Sequence, residues 1–150
     1  MVNKTPTVAE LRELSLRLPE NIPYVKMLVL FGSRARGDIH ANSDWDFAVI
    51  CDENQRLDYV KDNPFLWFEL PAKVGEILQI NSDIIDVVEL DHCSPLMGYH
   101  VARDAKVLYE SKPESFLRFQ CKAWKIYADT AKFRKAERES IKLWLNKRGL

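Results

Sequence analysis

The sequence has no run of about 18 apolar residues, so nothing in it reads as a membrane span. Its first residues, Met1-Val-Asn-Lys-Thr-Pro6, lack the charged-then-apolar order of a secretory leader. Together these absences lead us to expect a cytoplasmic protein. Cysteine is scarce: Cys51, Cys93 and Cys121 are odd in number and far apart, which argues against a disulfide framework or a C-x-x-C zinc site. His40, His92 and His100 are equally scattered, and the adjacent His92-Cys93 has no matching ligands close by in sequence, so no imidazole–thiolate metal centre is expected. Net charge is missing too, with 22 Lys+Arg against 22 Asp+Glu over 150 residues. No internal repeat or low-complexity tract is visible, and the length predicts one domain.

The zero net charge hides an asymmetry. Residues 1–111 hold 11 Lys/Arg and 18 Asp/Glu, a net of −7, whereas residues 112–150 hold 11 and 4, a net of +7. A basic C-terminal stretch can be an interaction surface or can lie against its own acidic domain. The sequence leaves both open.

What is present is a core with clear periodicity. Thr7 followed by Glu10 has the pattern of a capping box, and Leu11, Leu14 and Leu18 recur at helical spacing up to Pro19 and Pro23. Lys26–Phe31, Asp44–Cys51, Ile84–Leu90 and Lys106–Tyr109 read as four strands. Residues 54–65 read as a loop or weak helix, Phe65–Ile80 as a helix with Pro71 in its first turn or splitting it, and Pro95–Arg103 as a short helix. From Glu114 onward one long helix is predicted, since neither proline nor glycine occurs between Pro113 and Gly149. Strands alternating with helices imply an α+β fold: a small mixed sheet of about four strands with helices mainly on one face, spanning residues 1–112, and a basic helical extension over 113–150.

The chemistry concentrates between the first two strands. The apolar run ends in Gly32-Ser33, and Asp44 and Asp46 enter the second run. Strand alternation puts Asp44, Asp46 and Ala48 on one face and Trp45, Phe47 and Val49 on the other. Two carboxylates roughly 6–7 Å apart at Cα suit shared divalent cations. Asp86 lies within the apolar third strand, where packing gives it no reason to be, and is read there as a buried third carboxylate. Gly32 allows close backbone approach to a ligand, and Ser33 offers a hydroxyl and an amide. Arg34 and Arg36 could add charge-assisted contacts to phosphate.

Gly32-Ser33-x10-Asp44-x-Asp46 is similar to the signature of the DNA polymerase β-like nucleotidyltransferases. With Gly-Ser-Arg-Ala-Arg-Gly37, Ser43-Asp-Trp-Asp-Phe47 and Asp86-Val-Val-Glu-Leu90, the chain resembles the minimal nucleotidyltransferase (MNT) branch, over roughly residues 26–110. The resemblance implies a polymerase β-like fold. It implies that Asp44, Asp46 and Asp86 hold two magnesium ions and carry catalysis, with Gly32, Ser33, Arg34, Arg36 and Ser43 binding ATP. It further implies an antitoxin that transfers AMP to a tyrosine of a HEPN-type RNase toxin, its partner in a hetero-oligomer, with no membrane and no direct nucleic-acid contact. The same catalytic residues would also serve a small-molecule (aminoglycoside-type) nucleotidyltransferase, and a non-catalytic toxin-binding antitoxin is a third reading.

Overall fold

The computed structural model describes residues 5–39 and 42–150. Residues 1–4 of the expected leaderless start, and His40 among the scattered histidines, lie outside them. Strands β1 (Val25–Phe31), β2 (Trp45–Cys51), β3 (Ile85–Glu89) and β4 (Lys106–Glu110) form a sheet in the order β3-β2-β1-β4. β1 pairs antiparallel with β2 and β4, and β2 pairs parallel with β3. This is the small mixed sheet the pattern predicts.

Alternation along the strands builds two cores. Val25, Leu28 and Leu30 of β1 and Trp45, Phe47 and Val49 of β2 point to one face. There they meet Leu11 of α1 (Val8–Ser15), Leu18 of α2 (Leu18–Asn21) and Leu70, Val74, Ile77 and Leu78 of α5 (Leu70–Leu78). Met27, Val29, Phe31 and Ala48 point the other way, onto Val101 of α6 (Pro95–Asp104) and onto Phe116 and Phe119 of α7 (Ser115–Asp129). The Thr7–Glu10 capping box forms: Thr7 Oγ1 accepts from the Glu10 amide and Glu10 Oε2 from the Thr7 amide, both at 3.1 Å. Arg12 Nε then donates to Val107 O at 2.8 Å, tying α1 to the edge strand.

Three segments differ from the sequence expectation. Residues 53–60 form a helix, α4 (Glu53–Val60), because Asp52 caps it through Oδ1 on the Gln55 amide at 3.0 Å. The helix expected over Phe65–Ile80 is a 3-10 turn, Pro64–Glu69, followed by α5, since Pro71 lacks an N–H and sits in a first turn at no cost. The long C-terminal helix breaks at Thr130 into α7 and α8 (Ala131–Lys147). There Thr130 Oγ1 and Arg134 Nη1 both donate to Tyr127 O, at 2.9 and 2.8 Å, and the Arg134 guanidinium lies 3.7 Å over the Tyr127 ring.

The crossover from β2 to β3 is pinned by Arg56, only 2% exposed. It pairs with Glu89, donates to Trp67 O at 3.1 Å and stacks 3.7 Å from the Trp67 ring. Arg56→Ala leaves Glu89 without its counter-charge and a cavity beneath the crossover. A loss of about 3 kcal/mol is expected in urea unfolding, at the low end for a broken buried pair because Glu89 keeps some solvent contact.

Candidate active site

The site is assembled by strand register. Phe31, the last residue of β1, is paired with Asp46, and Asp46 is paired with Asp86 across the parallel β2–β3 ladder. Opposed residues on neighbouring strands share a face, with backbones roughly 4.8 Å apart. Asp46 and Asp86 therefore stand side by side at one end of the sheet. Asp44 precedes β2 by one residue and is exposed. Asp86 is also exposed, which corrects the expectation that it is buried: it occupies an outer strand with its side chain on the open part of the face.

Gly32 closes the other side. Its φ of +75° with ψ of −157° lies in a region that side chains other than glycine hardly visit. A Cβ there would overlap Asp46 Oδ2 and crowd its Cγ at 3.1 Å. The glycine thus does two things: it turns the chain out of β1, and it leaves room for the Asp46 carboxylate against the backbone. Ser33 opens the single helical turn α3 (Ser33–Arg36), whose first amides have no acceptor within the turn.

Electrostatics bear the signature of converging carboxylates. Burial, then the charges of Asp86 and Asp44, push the Asp46 carboxyl above the usual carboxylate range, and Arg36 pulls it back in part. Arg36 is engaged elsewhere, with Asp38 Oδ2 at 3.4 Å and Asp104 Oδ2 at 3.5 Å. The cluster is left short of positive charge on the Asp46 side. That donor set, all oxygen and all anionic, fits a hard divalent cation whose remaining ligands come from phosphate and water.

Arg34 is turned inward to the loop. Its Nε and Nη2 donate to Ser43 O at 3.2 and 2.8 Å, and its Cζ lies 4.1 Å from the Trp45 ring. It braces the connection that carries Asp44 against the turn that carries Ser33. Arg34→Ala removes both hydrogen bonds and the stack. It is expected to lower stability by about 1–2 kcal/mol in urea unfolding, and Arg34→Lys should recover only part because the forked donor geometry is lost.

Two other features lie away from this edge. Glu53, Glu89 and His92 bring one ligand atom each within 4.8 Å of one another, which the isolated look of His92-Cys93 in the sequence did not suggest. His92 Nε2 is 3.3 Å from Glu53 Oε1, and Glu89 is paired with Arg56, so the carboxylates of the trio already have partners within the protein. A cavity of about 300 Å³ lies between Ile50, Leu90, Gly98, Phe119 and Ala123, and none of the three aspartates lines it. No helix among the described residues is long and apolar enough to cross a membrane.

Comparison with known proteins identifies the family. The chain is 53% identical over 150 residues, the whole of both sequences, to the protein adenylyltransferase MntA of Aphanizomenon flos-aquae. It is 32% identical over 124 residues to the protein adenylyltransferase MntA of Shewanella oneidensis, covering 83% of this chain and 78% of that protein. Its fold superposes on a crystal structure of a toxin–antitoxin with AMP-PNP at a TM-score of 0.64 and 26% identity, covering 91% of this chain and 98% of the other. Residues 16–114 match the family described as Polymerase beta, Nucleotidyltransferase, and they include the β1 turn and all three aspartates of the sheet edge. The chain therefore belongs to the polymerase beta nucleotidyltransferase family.

Proposed function

We propose that this protein is a magnesium-dependent adenylyltransferase that moves AMP from ATP onto a tyrosine hydroxyl of a partner protein, a HEPN-type RNase toxin, and so acts as an antitoxin. The observation that carries this reading is the pairing of Asp46 with Asp86 beside the Gly32 turn, with Asp44 adjoining. The two relatives named protein adenylyltransferase support the choice of acceptor class. The AMP-PNP in a structural neighbour supports an adenosine triphosphate donor. A cytoplasmic setting suits a donor found there.

In this reading Asp44, Asp46 and Asp86 would hold two magnesium ions. When bound, the metal neutralises the triphosphate and the charge that develops on the transferring phosphorus. Ser33 holds the terminal phosphates through its hydroxyl and amide, with Arg36 released from Asp38 to meet phosphate oxygen and Ser43 beside the ribose–phosphate. The acceptor oxygen attacks the α-phosphorus, forming one P–O bond as the bond to the β-phosphate bridging oxygen breaks. Pyrophosphate leaves, and Asp86, the outermost carboxylate, takes the hydroxyl proton. Asp44 and Asp86 are exposed to solvent, which gives an acceptor hydroxyl on a partner access to this end of the sheet.

The test is label position. With the partner toxin present, ATP labelled on the α-phosphate should label the toxin, ATP labelled on the γ-phosphate should not, and chelation of divalent cations should stop the reaction. Label from the γ-position, or labelling that persists in chelator, would overturn the assignment. So would tight toxin binding with no covalent AMP on the toxin by intact mass.

A further inference from the structure

One cavity of the molecule takes no part in the site described above. It lies between β2, the turn after β3, α6 and α7, holds about 300 Å³, and is lined by none of the three aspartates. Alternation along β2 sends Ile50 to the same face as Ala48, and α7 brings Phe119 and Ala123 to it. With Leu90 these give the cavity an apolar floor. Gly98 of α6 keeps it open. It is buried inside a helix, where glycine is less favourable than alanine. Its backbone is not left-handed, and an added Cβ would meet only Cys93 Sγ and Ala123 Cβ, at 3.8 and 3.9 Å, which is ordinary contact. Neither strain nor crowding therefore calls for a glycine here. What its missing side chain leaves is space in the cavity.

The mouth of the cavity is charged. Arg118 and Lys122 stand four residues apart on α7, so they share a side of the helix; both line the cavity and both are exposed. Neither side chain has an ion-pair or hydrogen-bond partner among the described residues. Asp91, from the turn after β3, lines the cavity as well. Two cations against one carboxylate leave one unit of positive charge, which suits a monoanion better than a phosphate dianion. A concave apolar space with a few polar groups is the usual form of a small-molecule site. We propose that this cavity binds an alkyl carboxylate, with its chain against Ile50, Leu90 and Phe119 beside Gly98 and its head group held by Arg118 and Lys122. The site is separate from the aspartates and does not rest on the reading of nucleotidyl transfer.

Calorimetry on the full chain tests this, with octanoate as the probe and octanol as its uncharged match. The wild type is expected to bind one octanoate per chain and to bind octanol about tenfold more weakly, the ratio a charge-assisted contact at an exposed mouth supplies. Arg118→Gln with Lys122→Gln alters only exposed side chains that have no partner, so circular dichroism and melting temperature should hold. This double variant should lower the affinity for octanoate to that for octanol and leave octanol unchanged. Gly98→Leu puts a side chain into the cavity and should abolish binding of both. A wild type that fails to bind octanoate would overturn the proposal. So would a charge variant that binds octanoate as tightly as wild type, or a folded Gly98→Leu protein that still binds it. If Gly98→Leu does not fold, the charge variant still decides the matter, because its folding does not depend on the cavity.

Discussion

Asp46→Asn is expected to abolish nucleotide transfer and, in the absence of divalent cations, to raise the melting temperature. The two effects share one cause. Asp46 carries a charge that burial and the neighbouring Asp86 and Asp44 disfavour in the folded protein. Asparagine keeps the shape and removes the charge. The metal's stabilisation of the transition state is worth several kcal/mol, and at 1.36 kcal/mol per tenfold a loss on the order of a thousandfold or more follows. The pH dependence has a definite sign. A carboxyl whose folded pKa is raised destabilises the fold at neutral pH, and this penalty disappears as pH falls through the raised value toward the ordinary carboxylate range. The gap in melting temperature between variant and wild type should therefore be widest near neutrality and close on acidification. Adding magnesium at neutral pH should also close it, by stabilising the wild type alone. A variant less stable than wild type throughout, with magnesium present or absent, would show that Asp46 is a structural carboxylate.

Gly32→Ala should be as damaging to transfer, by a steric route. The backbone at Gly32 would be strained with any side chain, at about 1–3 kcal/mol, and the added methyl would overlap Asp46 Oδ2. The carboxylate must give up the position it holds against Gly32, or β1 must pull back from β2. Gly37→Ala is the matched control: Gly37 also has a positive φ, of +91°, but a Cβ there would meet nothing within 4 Å. Gly37→Ala should cost about 1–2 kcal/mol of stability in urea unfolding and leave metal-dependent stabilisation intact. In Gly32→Ala, the rise in melting temperature on adding magnesium should be lost. Equal loss of that response in both variants would mean that loop strain, and not the collision with Asp46, is responsible.

The parts of the fold legible in the sequence are those governed by local rules. Short apolar, β-rich runs located the four strands, and two-residue alternation in the second put Trp45, Phe47 and Val49 in one core with Ala48 in the other. The spacing of Thr7 and Glu10 announced a cap. The turn at Gly32 and the acids at 44, 46 and 86 stood out because apolar strands do not otherwise end or break in that way. What escaped depended on contacts between distant segments or on competition within a helix. Asp86 looked buried because its neighbours in sequence are apolar, but it is exposed, on an outer strand whose Ile85 faces the core. Arg34 read as a phosphate ligand by type, and its bond to Ser43 O depends on how the loop folds back. No proline or glycine announced the break at Thr130; a hydroxyl and a guanidinium competing for one carbonyl produced it. His92 gained Glu53 and Glu89 from two other elements.

The register of β2 carries a consequence for how this edge tolerates change. Asp46 is held between Phe31 and Asp86 by the same ladders that seat Phe47 and Trp45 in the core. Sliding β2 by one residue would turn every one of its side chains to the opposite face. The acids cannot drift out of line without pulling two aromatics out of one core and forcing them into the other in place of Ala48, so their alignment is proofread by packing rather than by the acids themselves. Substitutions along this strand should then be all-or-none in effect: either the core closes and the carboxylates arrive together, or neither does.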